Sequence, residues 1–565
     1  MTATRQSPPQ PLAPVSFHLP EPFETKLDNG LRIVIFEDKR LPLVSFRLAF
    51  FSGDADDPAE VSGLTSAMAS LLNEGTLNRT SKQLAEEVER LGANLSAHAS
   101  DDFTIVAASS LSLYSSAILE LMAEVTLRPV FPENELDLYK RNTIENLKFQ
   151  RSQPNFLANE QASRLLFGEH PYSRVAPRPE HVERFTREAL LALHAKVMAP
   201  NNAVFVVVGD VERDAFLGEV NDLFGGWKAG DYKAPEFPDF PKRAGRTLTI
   251  VDRPGSAQTN IVIGNLGIAR SDPDYFPVIV MNQVLGAGAS SRVFMNLREE
   301  KGYTYGAYTR FDTRRLGGSF EATAEVRTAV TGDSLKELFY ELERIRSERV
   351  SDEELRDAKN FLTGVFPIRA ETQEGLTNLI VNQQLYDLPA DYLQTYREHI
   401  EKVSADDVLA AAQKYVRPAE AAIVLVGDAA EILPQAASYS EAVEIFDTDG
   451  RPRELSNYVG SDRSPAADVA GEWKLEIDFQ GQSIPVALKL ESDGDRLHGS
   501  ISTMLGDGRI EEAKVRGNRL SATAIAEFQG QPLELAISAS VDGETMKGTI
   551  TAPISPEPLS FSGSR

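Results

Sequence analysis

The stretch NNAVFVVVGDVERD, residues 201–214, decides the fold of this 565-residue chain, because its pattern occurs twice. An apolar run typical of a buried strand leads into a Gly-Asp pair that begins at Gly209. The stretch AAIVLVGDAAE, residues 421–431, repeats that pattern, and its own Gly-Asp pair begins at Gly427, 218 residues later. The sequence therefore predicts an internal duplication.

A second pair of stretches supports the duplication. Leu136 in RPVFPENELDLYKRNTIENL corresponds to Leu355 in SERVSDEELRDAKNFLTGVF at a spacing of 219. Alternating strands such as LRIVIFED, PLVSFRLAFF and DDFTIVAASSL are interleaved with helices, one of which starts with a capping box at Thr80 and Gln83 and ends at Gly92. The predicted fold class is α+β, with two tandem homologous α/β-sheet domains.

The last hundred residues differ in kind. The stretch GEWKLEIDFQGQSIPVALKLESDGDRLHGSISTMLGDG, residues 471–508, alternates apolar and polar residues between Gly and Asp-Gly turns, which predicts a small C-terminal all-β barrel or sandwich. Its start resembles the Gly-x-Trp start of lipocalin-like barrels, which would suit a small ligand or a docking role. The other interpretation of Trp473 is a core residue that plugs one end of a barrel.

These patterns divide the chain into six predicted segments. They are a disordered proline-rich leader over 1–22, a first domain over 23–230, a linker over 231–245, a second domain over 246–432, a linker over 433–465 and an all-β domain over 466–565.

Composition excludes several classes of function. With 83 acidic and 58 basic residues the net charge is -25, which disfavours nucleic acid and anionic membrane surfaces and favours peptide partners. The chain has no cysteine and no apolar run long enough for a transmembrane segment. No signal peptide is visible, but the proline-rich leader is consistent with the remnant of an exported chain. We therefore hypothesise a bacterial periplasmic or other extracytoplasmic location.

A search for catalytic motifs finds none. No two of the seven histidines are three or four residues apart, so a helical zinc pair is absent and each is interpreted as a structural or surface residue. No Gly-x-Ser-x-Gly elbow is present, and the glycine-rich stretch LGAGASSRVFMNLREEKG, residues 285–302, lacks the ending of a phosphate loop. We interpret that stretch as a loop that enters a helix.

Several motifs together resemble the pitrilysin or insulinase family of peptidases, in the branch of paired short subunits akin to the mitochondrial processing peptidase. They are LDNGLRIVIFED, LVSFRLAFFSGDADDP, GLTSAMASLLNEGTLNRT, LFGEHPYSR, VVVGDVERD and LGAGASSRVFMNLREEKGYTYGAYTRFDTRRLGGSFEATAEVRT. The resemblance covers about residues 23–432 and leaves the final β domain outside.

The resemblance implies that this chain has lost its zinc site. Active members carry H-x-x-E-H on the first helix, where two histidines bind zinc and the glutamate activates water. Those positions fall on Ser66, Ala69 and Ser70, and the distant glutamate ligand falls near Asn146, with Glu145 adjacent. Since hydroxyls and a methyl group cannot replace imidazoles and a base, we expect no metal in this chain.

The second copy keeps more of the family pattern. Active assemblies use an arginine and a tyrosine seven residues later to hold the substrate backbone and stabilise the oxyanion, and the resemblance places these roles on Arg298 and Tyr305. The alternative is a solvated charge cluster followed by ordinary strand residues. The next stretch, GGSFEATAEVRT, is a candidate edge strand for peptide addition or else an interior strand.

Three functions follow as hypotheses. The leading one is a non-zinc, catalytically incomplete subunit of a heterodimeric metallopeptidase, inactive alone. A homologous partner with H-x-x-E-H would supply zinc, and a peptide or unfolded polypeptide would be the substrate. The second is a non-catalytic structural or assembly subunit of a larger complex. The third is a clamp that binds extended peptides without cutting them.

Overall fold

The computed structural model describes most of the chain, over residues 19–458, 467–479, 482–493, 496–503, 506–516, 518–528, 531–551 and 559–565. The described chain forms two compact units. The first unit runs up to Arg246 and also includes Ile261–Glu325 and Ser334–Ile423. The second unit consists of Thr247–Asn260, Val326–Asp333 and the chain from Val424 onward.

The first copy is built on a six-stranded sheet with the order β1-β2-β6-β3-β5-β4. Its strands are β1 (Phe23–Lys26), β2 (Arg32–Glu37), β3 (Leu43–Phe50), β4 (Asn94–Ala99), β5 (Thr104–Leu111) and β6 (Ala203–Gly209). All seven residues of β6 are buried, and β6 pairs parallel with β2 and antiparallel with β3. The Gly-Asp stretch therefore marks a strand in the interior of the sheet, as its apolar run predicts.

Eight helices accompany this sheet. They are α1 (Leu64–Leu71), α2 (Ser81–Arg90), α3 (Ser115–Leu127), α4 (Glu133–Ser152), α5 (Pro154–Phe167), α6 (Pro179–Glu183), α7 (Arg187–Val197) and α8 (Arg213–Phe224). The predicted capping box is present at α2, where the Thr80 hydroxyl accepts from the Gln83 N–H and the Gln83 side chain accepts from the Thr80 N–H. Helix α2 ends near Gly92, whose φ is 57°.

The second copy has a seven-stranded sheet with the order β13-β12-β7-β11-β8-β10-β9. Its strands are β7 (Thr247–Asp252), β8 (Gln258–Leu266), β9 (Thr304–Thr313), β10 (Gly318–Arg327), β11 (Ala422–Gly427), β12 (Val443–Phe446) and β13 (Pro452–Arg453). The order β7-β11-β8-β10-β9 repeats β2-β6-β3-β5-β4 of the first copy. The predicted duplication is thus confirmed strand by strand.

The helices of the second copy follow the same plan. They are α9 (Tyr275–Leu285), α10 (Arg292–Phe294), α11 (Thr331–Ser347), α12 (Asp352–Arg369), α13 (Gln373–Leu385), α14 (Tyr392–Lys402), α15 (Ala405–Tyr415) and α16 (Ala429–Ala436). Helix α10 continues as a π-helical segment over Met295–Glu300. Helix α12 contains Leu355, as α4 contains Leu136, so the second sequence echo marks corresponding helices.

Two details differ from the sequence predictions. The stretch GGSFEATAEVRT contains all of β10, an interior strand between β8 and β9. The edge-strand interpretation is therefore wrong, and β9 is the strand at this edge of the sheet. The region 433–465 was expected to be an irregular linker. It contains the end of α16 and the strands β12 and β13, and β12 pairs parallel with β7. The sequence pattern did not indicate these strands, because β12 has only four residues and β13 only two.

Two other predicted segments lie partly outside the residues that the structure describes. Residues 1–18 of the predicted leader and 459–465 of the second predicted linker are outside the described residues. Residues 231–245, predicted as a linker, contain no helix or strand, in agreement with their prolines. None of the described helices is both long and apolar enough to cross a membrane.

The C-terminal strands form a closed eight-stranded antiparallel barrel, which decides between barrel and sandwich. They are β14 (Gly471–Phe479), β15 (Gln482–Asp493), β16 (Arg496–Thr503), β17 (Gly506–Arg516), β18 (Arg519–Phe528), β19 (Gln531–Asp542), β20 (Thr545–Thr551) and β21 (Leu559–Ser564). Strand β21 pairs with β14 and closes the barrel. Trp473 is fully buried in its core and donates Nε1–H to the carbonyl of Val469 over 2.9 Å, so the core interpretation holds.

Candidate functional site

Helix α1, where the family carries its zinc motif, is held at its N-terminus by two carboxylates. Asp57 accepts from the hydroxyl of Thr65 at 2.6 Å and from its N–H at 3.1 Å. Asp54 accepts from the N–H of Ser66 at 2.8 Å and from its hydroxyl at 2.6 Å. The first N–H groups of a helix lack intrahelical partners and carry partial positive charge, so both carboxylates stabilise α1.

Burial changes the acidity of these two carboxyls. Burial raises the pKa of Asp57 to about 7, and the nearby charge of Asp54 adds to the effect while the Thr65 hydrogen bonds oppose it. Burial also raises the pKa of Asp54 above its ordinary value, against the hydrogen bonds from Ser66. In both cases burial favours the protonated form of the carboxyl, and the larger effect is on Asp57.

The three motif positions on α1 serve the fold. The Ser66 hydroxyl is bound to Asp54, and Ala69 is fully buried. Ser70 is exposed and lies near the phenol of Tyr139 on α4. Burial raises the pKa of Tyr139, and the nearby hydroxyls of Thr143 and Ser70 oppose the shift. The three positions thus carry two hydroxyl groups and a methyl group.

The position of the distant zinc ligand is equally unsuited to a metal. Asn146 lies on the exposed side of α4. Its neighbour Glu145 is exposed too, and its carboxylate pairs with Lys148 of the same helix at 2.8 Å. Neither side chain is placed to complete a metal site with the residues of α1 in the described chain.

A catalytic zinc needs three protein ligands at about 2 Å and an open position for water. Here Ser66 is bound to Asp54, Ala69 has no donor atom and Asn146 lies in solvent. Within the described part of the chain, no group of three or more His, Cys, Asp or Glu residues is placed to hold a metal. The residues of α1 and α4 therefore do not fit a zinc site.

Arg298 lies in the π-helical segment, a rare geometry that is frequent at functional sites. Its side chain is 44% exposed, with Nη1 2.5 Å from Glu299 Oε1 and the guanidinium carbon 5.0 Å from the centre of the Phe294 ring. Tyr305, the second residue of β9, is 92% exposed. Both side chains predicted to hold substrate are thus available at the surface.

The connection between these two residues is short and hydrogen-bonded. The N–H of Gly302 donates to the carbonyl of Arg298 at 3.2 Å, and the N–H of Tyr303 donates to that of Leu297 at 2.9 Å. Gly302 has a φ of 62°, a left-handed conformation that suits glycine. The turn therefore fixes where Arg298 and Tyr305 emerge at the start of edge strand β9.

The π-helical segment is anchored by a residue that sequence reasoning missed. The buried Nδ2 of Asn296 donates to Glu341 at 2.9 Å and to Glu337 at 3.1 Å, both on α11. Asn296 directly precedes the fully buried Leu297 and lies two residues before Arg298. Only a polar residue in an apolar helical pattern could have indicated this anchor.

Sequence reasoning also missed a cluster of charges that joins the two copies within the first compact unit. Arg314 contacts Asp101 at 2.5 Å, while Asp102 accepts from the Tyr172 hydroxyl at 2.5 Å and from the Arg315 N–H at 3.0 Å. Burial raises the pKa of Asp101 to about 6, although Arg314 opposes the shift. The adjacent aspartates in SDDF and the adjacent arginines in TRRL are the sequence features that could have indicated this cluster.

Histidines in the described chain have structural surroundings. His170 is buried, its Nδ1 accepts from the Tyr172 N–H at 3.2 Å, and burial lowers its pKa to about 4. His194 Nε2 lies 2.7 Å from the carbonyl of Thr126. His399 stacks on Phe276 with ring centres 4.7 Å apart. His18 is outside the described residues.

The duplicated sheets, the altered first helix and the Arg298–Tyr305 turn define a class, that of peptidase-like proteins without a metal site on the first helix. Residues 32–179 match the family described as Insulinase (Peptidase family M16), and residues 184–362 match the family described as Peptidase M16 inactive domain. The chain belongs to the M16 family, and its second copy matches the inactive domain of that family. Neither match reaches the barrel.

Relatives and solved structures agree with this assignment. An uncharacterized zinc protease, YmxG of Bacillus subtilis, is 23% identical over 61% of this chain and 83% of its own length. The non-peptidase homolog YmxG of Helicobacter pylori is 25% identical over 66% of this chain and 87% of its own. The crystal structure of a peptidase M16 inactive domain from Pseudomonas fluorescens has a TM-score of 0.68 and 26% identity, covering 72% of this chain and 98% of its own.

Proposed function

We propose that this chain is the zinc-free subunit of a two-chain metallopeptidase. A homologous partner with an intact H-x-x-E-H helix would hold zinc and the catalytic base. This chain would contribute Arg298 and Tyr305, which would hold the peptide substrate and stabilise the oxyanion that forms in the transition state. By itself the chain would cleave nothing.

One contrast between the two copies carries the proposal. On α1 the former metal positions are used by internal hydrogen bonds or buried, as the Ser66–Asp54 pair and Ala69 illustrate. In the second copy Tyr305 is 92% exposed. A tyrosine and an arginine that are exposed at a fixed turn do not contribute to a core. Their phenol and guanidinium groups can donate hydrogen bonds to a carbonyl oxygen.

Reconstitution tests the proposal. The full chain is mixed with an M16 homologue that carries H-x-x-E-H, and cleavage of a fluorogenic peptide is followed. Arg298→Ala is expected to lower kcat by about 100-fold, the usual loss when one oxyanion donor is removed. The same cleavage rate with wild type and Arg298→Ala would exclude the proposed role.

The chain offers a closely matched control for this experiment. Arg213 is also 44% exposed, its Nε lies 3.1 Å from the neighbouring Asp214, and its guanidinium carbon lies 4.9 Å from the Phe23 ring centre. Arg213→Ala removes the same kind of side chain from α8. We expect cleavage by this variant to equal that of wild type. Tyr305→Phe tests the tyrosine in the same way. Its control is Tyr340→Phe, which alters an exposed tyrosine on α11.

The exposed edge strand β9 favours a second function, a clamp that binds peptides without cutting them. Saturable binding of an extended peptide to the isolated chain, with no cleavage product in any reconstituted mixture, would favour this function. A structural or assembly subunit, by contrast, predicts that neither Arg298→Ala nor Tyr305→Phe changes any activity.

A further inference from the structure

A cavity of about 360 Å³ lies within the first compact unit, and neither α1 nor Arg298 lines it. Its walls come from the connector that follows the first copy, from the end of β8 and from the loop before β11. Three basic side chains line it, namely Lys242, Arg243 and Arg417. Its size falls within the range of small-molecule sites.

Arg417 is held rigidly and still has an unused donor. Its Nη2 donates to the carbonyl of Leu266 at 2.7 Å, and its backbone N–H donates to Asn265 Oδ1 at 2.9 Å. Its Nη1 lies 3.6 Å from the carboxylate of Glu420. The Nε of Arg417 is buried and has no hydrogen-bond partner in the described chain. The hydrogen bonds to Leu266 and Asn265 therefore fix Arg417 and its guanidinium in position at the wall of the cavity.

Arg243 forms the opposite part of the basic wall. Its Nε donates to the carbonyl of Glu420 at 2.8 Å, and its Nη1 lies 3.3 Å from the carbonyl of Leu165. Burial lowers the pKa of Arg243, while the charge of Glu420 opposes the shift. Arg243 is therefore a partly desolvated cation, for which a nearby anion would be favourable.

The charges and the apolar walls together define the ligand class. Three cations face one carboxylate, Glu420, so the cavity is positive in a chain whose net charge is -25. Phe240, Pro241 and Leu266 supply an apolar wall. We propose that this cavity binds a small carboxylate that carries an apolar group, either a free molecule or the C-terminus of a peptide. Glu420 disfavours a dianion such as phosphate, because its own charge would repel the second negative charge.

Isothermal titration of the full chain with N-acetylphenylalanine tests this site, with N-acetylphenylalanine amide and inorganic phosphate as comparison probes. The acid is expected to bind saturably, and the amide and phosphate at least tenfold more weakly, as loss of a charge-assisted hydrogen bond predicts. The tripeptide Ala-Ala-Phe distinguishes the sources. Tighter binding of the tripeptide supports a peptide C-terminus, and equal or weaker binding supports a free carboxylate.

Three variants link the binding to the cavity. Arg417→Gln and Lys242→Gln are each expected to weaken binding of the acid by about tenfold. Lys242 is exposed, so its substitution preserves folding if Arg417→Gln does not. Lys233→Gln, at an exposed lysine of the same connector that does not line the cavity, is expected to leave binding unchanged. Equal binding of acid and amide, preferential binding of phosphate, absence of saturation, or unchanged binding in Lys242→Gln would each overturn the proposal.

Discussion

The hydroxyl of Ser66 donates to Asp54 over 2.6 Å, so the first position of the family's zinc motif is bound to the protein itself. This bond has a structural purpose, because Asp54 accepts from the Ser66 N–H as well and thereby caps α1. The loop before α1 therefore uses the predicted ligand position Ser66 to hold the helix.

Restoring the motif should therefore fail. The combined variant Ser66→His, Ala69→Glu and Ser70→His is expected to bind less than stoichiometric zinc, because Asn146 still supplies no carboxylate. Ala69 is fully buried, so a glutamate there should lower the free energy of unfolding by about 3 kcal/mol or more. Metal analysis and urea unfolding of the purified chain measure both effects.

Ser70→His alone serves as the control for this variant. Ser70 is exposed, so we expect a loss of about 1 kcal/mol or less in the free energy of unfolding, as is usual for a surface substitution. One zinc per chain in the triple variant, together with unaided peptide cleavage, would contradict our view of α1.

The raised pKa of Asp57 predicts a pH-dependent stability. The folded pKa of about 7 lies above the ordinary value of 3.8, so the folded chain binds a proton that the unfolded chain releases. This stabilising contribution is complete below about pH 4 and is lost as the pH rises through 7. Asp101, with a pKa of about 6, acts with the same sign at a lower pH.

Asp57→Asn is expected to reduce the fall in unfolding free energy between pH 5 and 8, because asparagine stays neutral and can still cap α1. The reduction over this pH interval has an upper bound of about 3 kcal/mol, because only about two pH units separate pH 5 from the folded pKa of about 7. Urea unfolding at four pH values measures it, with Asp28→Asn as an exposed control. An unchanged pH profile in Asp57→Asn would show that Asp57 does not carry the effect.

The duplication and much of the first sheet could be predicted because strand and cap patterns are local. Apolar alternation located β2, β3 and β5, and the spacing of the Gly-Asp pairs located β6 and β11. The short strands β12 and β13 could not be predicted, because β12 is a strand through its pairing with β7, and β13 through its pairing with β12, rather than through their own composition.

The candidate site also contains features that the sequence indicates and features that depend on the fold. The resemblance to the family places the zinc-motif positions on Ser66, Ala69 and Ser70, and this placement stays a prediction. The roles of Asp54 and Asn296 depend on partners that only the fold brings near, 12 residues away for Ser66 and 45 for Glu341. The roles of Arg298 and Tyr305, the partner subunit and the extracytoplasmic location stay predictions.

Arg314 is predicted to be the main electrostatic link between the two copies. It pairs with Asp101 at 2.5 Å and Asp312 at 2.8 Å, and only 19% of its side chain is exposed. Arg314→Ala should lower the free energy of unfolding by about 3 kcal/mol, because it leaves two carboxylates without their cation. Urea unfolding should show partial recovery when Asp101→Asn is added, whereas Arg356→Ala, at an exposed pair on α12, should cost about 0.5 kcal/mol or less.

Asn296 is predicted to position Arg298. Because its amide bridges Glu337 and Glu341, Asn296→Asp would place a third carboxylate beside two others and should release the π-helical segment from α11. Hydrogen exchange at the amides of Gly302 and Tyr303 should then become faster.

If Arg298 acts on substrate, Asn296→Asp should also lower partner-dependent kcat more than it changes KM, since misplacing a catalytic donor by about 1 Å costs up to about 100-fold. Asn360→Asp, at an exposed asparagine of α12, adds the same charge without touching the segment and should change neither readout. Faster exchange with unchanged kcat would show that Asn296 anchors the segment but that the position of the turn does not affect catalysis. Unchanged exchange would show that the bridge to Glu337 and Glu341 does not hold the segment in place.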